Sequence, residues 1–208
     1  MRDPIRFVTS RDFLPLHSFP HDARAFGSKR FLEAAKAWFE RAFHGGTVTV
    51  QMEKDGLAVA WVPPEGSLDP AEYAVALLQR GNAPVAVPLL LGLLADRPED
   101  PVLLYNLGMA ESDLGRLDDA VAHLTALITK DPGHVNARVA LGVAHARAGR
   151  TEDAIATLRR GLAREPGQAA PWIELGLRLD AVGRFEEARR AYRRARAAIG
   201  PRGSARPG

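Results

Sequence analysis

Cysteine is absent from the 208-residue chain. That excludes disulfides, cysteine nucleophiles and cysteine-ligated zinc, and it fits a reducing compartment. Long hydrophobic runs are missing too. The longest, VAVPLLLGLLA at 85–95, is far too short to span a bilayer and contains Pro88. The opening residues, MRDPIRFVTSRDF, hold no apolar core of signal-peptide length. A soluble, cytoplasmic protein without a membrane span is expected. Nor is there a strong charge of one sign. The net charge is +3 and the pI about 9.6, a modest basic excess. A dedicated nucleic-acid binder clusters such an excess on one face, so nucleic acid is not the expected partner. The sequence has no GxxxxGK loop, no GxSxG elbow and no HExxH pair. No catalytic constellation, cofactor or metal is expected. What remains, 46% hydrophobic and 25% charged, is ordinary for a soluble globular chain of one or two domains.

What is present is a repeat. Leu107-Gly108 returns as Leu141-Gly142 and as Leu175-Gly176, 34 residues apart each time. Gly115, Gly149 and Gly183 follow in step, as do Ala120, Ala154 and Ala188. Pro132 and Pro166 keep the register, and Pro201 arrives one place late. One period upstream, Ala74, Gly81, Ala86 and Pro98 fit, with Tyr73-Ala74 in place of Leu-Gly. This gives four units: 67–100, 101–134, 135–168 and 169–202. Each reads as two helices joined at the second glycine. The apolar residues Leu117, Val121, Leu124 and Ile128 have helical spacing. Asp118 and Asp119 suit the start of a helix, and the Asp-Pro or Glu-Pro pairs suit its end. A glycine inside a helix costs roughly 1 kcal/mol relative to alanine. Gly108 and Ala120 are expected to face each other where paired helices touch, and that packing offsets the cost.

Helix pairs of 34 residues with this Leu-Gly, Gly, Ala and Pro spacing resemble the tetratricopeptide repeat. The resemblance covers about 67–200. The last unit matches best, through Trp172, Leu175, Gly176, Gly183, Phe185, Ala188, Tyr192 and Ala195. Units 101–134 and 135–168 lack the aromatics and carry Leu124 and Leu158 at the Tyr192 position. The fold class so implied is mainly α, a four-repeat α-solenoid wound as a right-handed superhelix, preceded by a small α+β module.

The resemblance also implies that the first helix of each pair lines a concave groove. By helical face, the lining is Leu68, Ala71, Val75, Leu78 and Gln79; then Val102, Tyr105, Met109, Ser112 and Asp113. Next come Asn136, Val139, Val143, Ala146 and Arg147; then Ala170, Ile173, Leu177, Asp180 and Ala181. This surface is apolar in its middle, with Gln79, Asp113, Arg147 and Asp180 along one edge. An extended peptide or an amphipathic helix of a protein partner suits it, unless residues 1–66 cover it. Self-association is also open. One branch of the family clamps the C-terminal carboxylate of chaperones with lysine, asparagine and arginine. Here those places hold Tyr105, Met109, Ala140, Ala170 and Glu174, which argues against that ligand.

Residues 1–66 are different in kind. IRFVTS at 5–10 reads as a strand and 28–46 as an amphipathic helix. Phe31, Leu32, Ala35, Trp38, Phe39, Ala42 and Phe43 share one face of it. Ser28 caps its start, Gly45-Gly46 ends it, and His44 suits its C-terminus. TVTVQMEKDGLAVAWV at 47–62 reads as a hairpin turning at Asp55-Gly56. Pro63, Pro64, Glu65 and Gly66 read as a hinge. A module of this size is marginal alone and is expected to dock on the first repeat. His17, His21 and Asp22 lie close in sequence, but Pro20 breaks any helix that could align the histidines on a metal. His123, His134 and His145 read as surface or groove residues.

The last helix holds Arg189, Arg190, Arg193, Arg194 and Arg196, with Glu186 placed to pair with Arg190. A solenoid needs such a polar terminal face. The alternative is a nucleic-acid or acidic-surface patch. A regulatory or remnant enzyme module in 1–66 is the other rival. The tail 203–208 is expected to be disordered. The first reading is a non-enzymatic adaptor that binds a protein partner in the groove.

Overall fold

Aspartate followed by proline starts two helices of this chain, at Asp69-Pro70 and Asp100-Pro101, and a left-handed glycine ends the first helix of each repeat pair. The computed structural model describes residues 4–43, 45–54, 56–64 and 69–199. His44, Asp55, Glu65, Gly66, Leu68, Pro201 and the tail at 203–208 lie outside them. Among the described residues there are nine α-helices and one three-stranded sheet. The chain divides into two units, 1–110 and 111–208.

The first unit begins with strand β1 (Ile5–Thr9), helix α1 (Lys29–Ala42) and strands β2 (Thr47–Glu53) and β3 (Gly56–Val62). The Ser28 hydroxyl accepts the N–H of Phe31 at 3.1 Å and starts α1. The sheet order is β1-β3-β2, antiparallel throughout, with Phe7 opposite Val59 and Val48 opposite Trp61. Alternation puts Phe7, Val48, Leu57, Val59 and Trp61 on the buried face. There they meet Phe31, Ala35, Phe39 and Phe43 of α1 and its end. Phe43 stacks on Trp61 with ring centroids 4.5 Å apart, and Trp61 meets Tyr73 at 5.0 Å.

Tyr73 belongs to α2 (Pro70–Gln79), which pairs with α3 (Ala83–Asp96). Its hydroxyl donates to the Ala42 carbonyl at 2.9 Å. The strand–helix module and the first repeat therefore share one core. The apolar run around Pro88 is the buried middle of α3. Helix α3 also packs on β1. A Cβ at Gly92 would come within 2.6 Å of both the Arg6 carbonyl oxygen and Phe7 Cβ. Helix α4 (Pro101–Asp113) begins in this unit, with the Asp100 carboxylate accepting the N–H groups of Val102 and Leu103.

The second unit holds α5 (Leu117–Lys130), α6 (Val135–Arg147), α7 (Thr151–Arg164), α8 (Ala169–Ala181) and α9 (Phe185–Ile199). Gly81, Gly115, Gly149 and Gly183 turn the chain between paired helices at φ of 74, 79, 75 and 74°. Each turn closes the same way. The N–H after the glycine reaches the carbonyl five residues back: Asn82 to Leu77, Arg116 to Glu111, Arg150 to His145, Arg184 to Leu179. This is a helix C-terminal motif that a residue with a side chain enters only with strain.

The Leu-Gly glycines have a different role. A Cβ at Gly142 would press on Leu158 at 2.9 Å, and one at Gly176 would strike the Tyr192 ring. The expected facing residue was the alanine, as with Gly108 and Ala120. In these two repeats the nearest atoms belong to the large side chain one turn further on. Ala154 and Ala188 are fully buried as well. The small residue makes a hole, and the large one fills it.

Two polar features join these helices. Arg150 lies 2.9 Å from Asp118, and Arg184 lies 3.6 Å from Glu152. Both pairs are one period apart, so each is a rung between successive second helices. Arg150 meets its partner by charge and proximity, without a well-aligned hydrogen bond. Exposed rungs of this kind contribute little each, about 0–1 kcal/mol. The other feature is buried. The Glu111 side chain is 2% exposed, and its Oε2 lies 2.7 Å from His123 Nδ1. That hydrogen bond holds the His123 imidazole above its ordinary value, with burial opposing.

Two outcomes follow from these contacts. Gly92→Ala forces a methyl against the Arg6 carbonyl and Phe7 of β1. It should lower stability by about 1–3 kcal/mol, read as a drop in the urea midpoint. The His123 pKa is raised in the folded state. The stability it contributes is therefore present below about pH 6.5, the unfolded value, and is lost as pH rises through the raised folded value. His123→Gln should flatten that part of the Tm-against-pH curve, while wild type declines across it.

Candidate partner-binding face

In the second unit α6 and α8 pack side by side, each in turn against the helix that follows it. Leu175, Gly176 and Leu179 of α8 turn to α9 and are buried. Helical spacing then turns Ile173, Leu177 and Asp180 outward. Ile173 is 40% and Leu177 43% exposed, one turn apart. On α6, Val139 and Val143 are half-buried, and Val139 packs against the core of Ile155, Leu158 and Leu175. The result is an apolar strip over two helices.

Polar residues stand at its ends. Asn136 and Arg147 are exposed at the start and end of α6. Arg147 donates to Ser112 Oγ at 3.2 Å and lies 3.4 Å from Asp113 Oδ1. Asp180 accepts the Tyr192 hydroxyl at 2.8 Å. Arg147, Asp113 and Asp180 thus already have partners within the fold. Of the remaining expected residues, Val75 is half-buried on α2 and Gln79 exposed at its end. Val102 and Met109 are exposed on α4, and Tyr105 between them is half-buried. These five lie in the first unit.

The other expected positions resolve as follows. His17 and His21 sit on separate short 3-10 turns, and Asp22 forms an ion pair with Arg30. Among the described residues, no three His, Cys, Asp or Glu side chains gather as a metal site, and no helix is long and apolar enough to cross a membrane. Glu186 pairs with Arg189 at 3.1 Å rather than with Arg190, because the side chains meet three residues apart instead of four. Glu187 accepts from Arg184 at 2.7 Å and from Arg159. The Arg194 guanidinium lies 5.2 Å above the Trp172 ring.

Two polar groupings were missed in the sequence. One is Glu111 with His123. The other is a set of basic residues around His145 and Thr157. Both occupy the same pair of repeat positions, which holds Leu179 and Ala191 in the last repeat. Aligning the repeats column by column would have flagged them, since polar residues replace core residues there.

Comparison with known proteins agrees with this architecture. Tetratricopeptide repeat models match residues 72–118 and 105–169, and a second model of the same description matches 169–194. Among solved structures, MamA MSR-1 is similar at 23% identity and a TM-score of 0.56, over 65% of this chain and 80% of that one. MamA AMB-1 is similar at 25% identity and 0.56, over 62% and 77%. TTC0263, a thermophilic TPR protein in Thermus thermophilus, is similar at 23% identity and 0.55, over 62% and 72%. No curated protein sequence matches at a significant level. The likeness to these structures is one of fold. The helix pairs, the left-handed glycine turns and the matching family models together make this chain a member of the tetratricopeptide repeat family, a family of protein-interaction scaffolds.

Proposed function

We propose that the chain is a non-enzymatic adaptor that holds a peptide or helix of a protein partner on the face of its first helices. The observation that carries this is the pair Ile173 and Leu177, exposed one turn apart beside half-buried Val139 and Val143. Large apolar side chains in contiguous array on a surface mark interaction sites. Spacing of one helical turn suits an amphipathic helix or an extended segment laid across it. Asn136 supplies an exposed amide at one end of the strip. Val75, Gln79, Val102, Tyr105 and Met109 extend the same set of repeat positions into the first unit. A cysteine-free chain suits the reducing cytoplasm, which we take as its compartment.

Part of the basic charge at α9 is spent within the fold, which supports this reading over a nucleic-acid one. Arg189 is engaged by Glu186 and Arg194 by Trp172, and Arg184 just before the helix by Glu187. A partner captured from source lysate by the full chain should be lost with Ile173→Asp/Leu177→Asp. Both side chains are exposed, so circular dichroism should be unchanged. The loss should be at least tenfold in affinity, about 1.4 kcal/mol. Equal capture by both baits would overturn the proposal.

A further inference from the structure

A cleft of about 610 Å³ opens between α5, α6 and α7 of the second unit. Small-molecule sites run from roughly 300 to 1,000 Å³. The cleft uses Arg138, Leu141 and His145 of α6, a different face from Val139 and Val143. Arg160 and Arg164 of α7 complete a basic lining that contains no carboxylate. Thr125, Thr129 and Thr157 add hydroxyls, and Ile128 adds apolar wall beside Leu141.

Arg138 is the residue that needs explaining. It is 6% exposed, and its guanidinium donates to the Pro132 carbonyl. A guanidinium carries five N–H donors, so this bond leaves most of its capacity unused. Among the described residues, no carboxylate lies within ion-pair distance of Arg138, Arg160 or Arg164, whereas neighbouring Arg159 and Arg150 are both paired. Burial first, and then Arg164, push the Arg138 pKa down, against Glu165 and Asp131. The fold nonetheless makes room for this side chain. A Cβ at Gly161 would strike Arg138 Cδ, so a glycine in the last turn of α7 lets the arginine pass.

Burying a cation without a counter-charge is costly, and gathering three of them adds repulsion. An anion in the cleft relieves both. His145 points the same way. Its Nδ1 is buried and has no hydrogen-bond partner. Burial and Arg150 hold its pKa below the ordinary value, so at neutral pH the ring is uncharged and can donate from one nitrogen. Arginine forks match the oxygens of a doubly charged tetrahedral group better than a single carboxylate. The hydroxyls can complete its shell, and the apolar wall fits an organic body.

We propose that this cleft is a binding site for a small organic phosphate, with Arg138, Arg160 and Arg164 facing the phosphate and Ile128 and Leu141 facing the remainder of the molecule. The site is independent of the protein-binding face. Isothermal titration of the full chain with phenyl phosphate should show one saturable site. Benzoate, which offers the same ring with one negative charge, should bind at least tenfold more weakly. Inorganic phosphate should compete. Arg160→Gln/Arg164→Gln changes two exposed side chains, so helicity and Tm should hold while affinity falls at least tenfold. Arg193→Gln/Arg196→Gln, on α9, should leave binding unchanged. Lack of saturable binding, equal binding of benzoate, or equal binding by the Arg160/Arg164 double variant would overturn the proposal.

Discussion

A backbone angle controls this architecture. Four times, 34 residues apart, a glycine at φ near +75° stops a helix, and the next begins within three residues. The hydrogen bond from the following N–H to the carbonyl five residues back fixes the turn each time. With so short a link, the two helices must lie against each other. A large side chain on the second then needs a place on the first. Gly142 and Gly176 provide it for Leu158 and Tyr192. In these two repeats glycine is thus used twice, once for its backbone and once for its missing side chain.

The first unit solves a size problem. A strand, a helix and a hairpin bury too little on their own to be secure. Here they extend the core of the first helix pair. Phe43, Trp61 and Tyr73 form a continuous aromatic contact from α1 through β3 to α2. The Tyr73 hydroxyl needs a partner once buried and finds the last carbonyl of α1. On the other side, Gly92 lets β1 lie directly on α3. The module is therefore built into the repeat beside it rather than hung from it.

Much of this was legible in the sequence because it recurs. Glycines, alanines and prolines at fixed intervals reveal the helix pairs, and a one-sided aromatic stripe reveals α1. The candidate face was legible as far as helical spacing reaches: Ile173 and Leu177 are exposed as a turn-by-turn reading requires. Contacts between side chains far apart in sequence leave no such trace. Nothing periodic says that Arg147 is tied to Ser112, that Gly176 makes room for the Tyr192 ring, or that Asp118 reaches Arg150. The basic cleft stayed hidden for the same reason. Arg138, His145 and Arg160 look like ordinary helix residues until three helices bring them together.

The tryptophans have a consequence of their own. Trp38 and Trp61 belong to the first unit, and Trp172 is the one tryptophan of the second. Trp61 is fully buried, stacked on Phe43, with its indole N–H on the Gly45 carbonyl. Trp172 is half-buried, donates to the Pro166 carbonyl and lies under a guanidinium. The two units therefore carry natural fluorophores in unlike surroundings, one dry and aromatic, the other wetter and beside a positive charge. Trp38 is half-buried as well, against Phe39, so once it is replaced by phenylalanine emission colour separates what happens around Trp61 from what happens around Trp172.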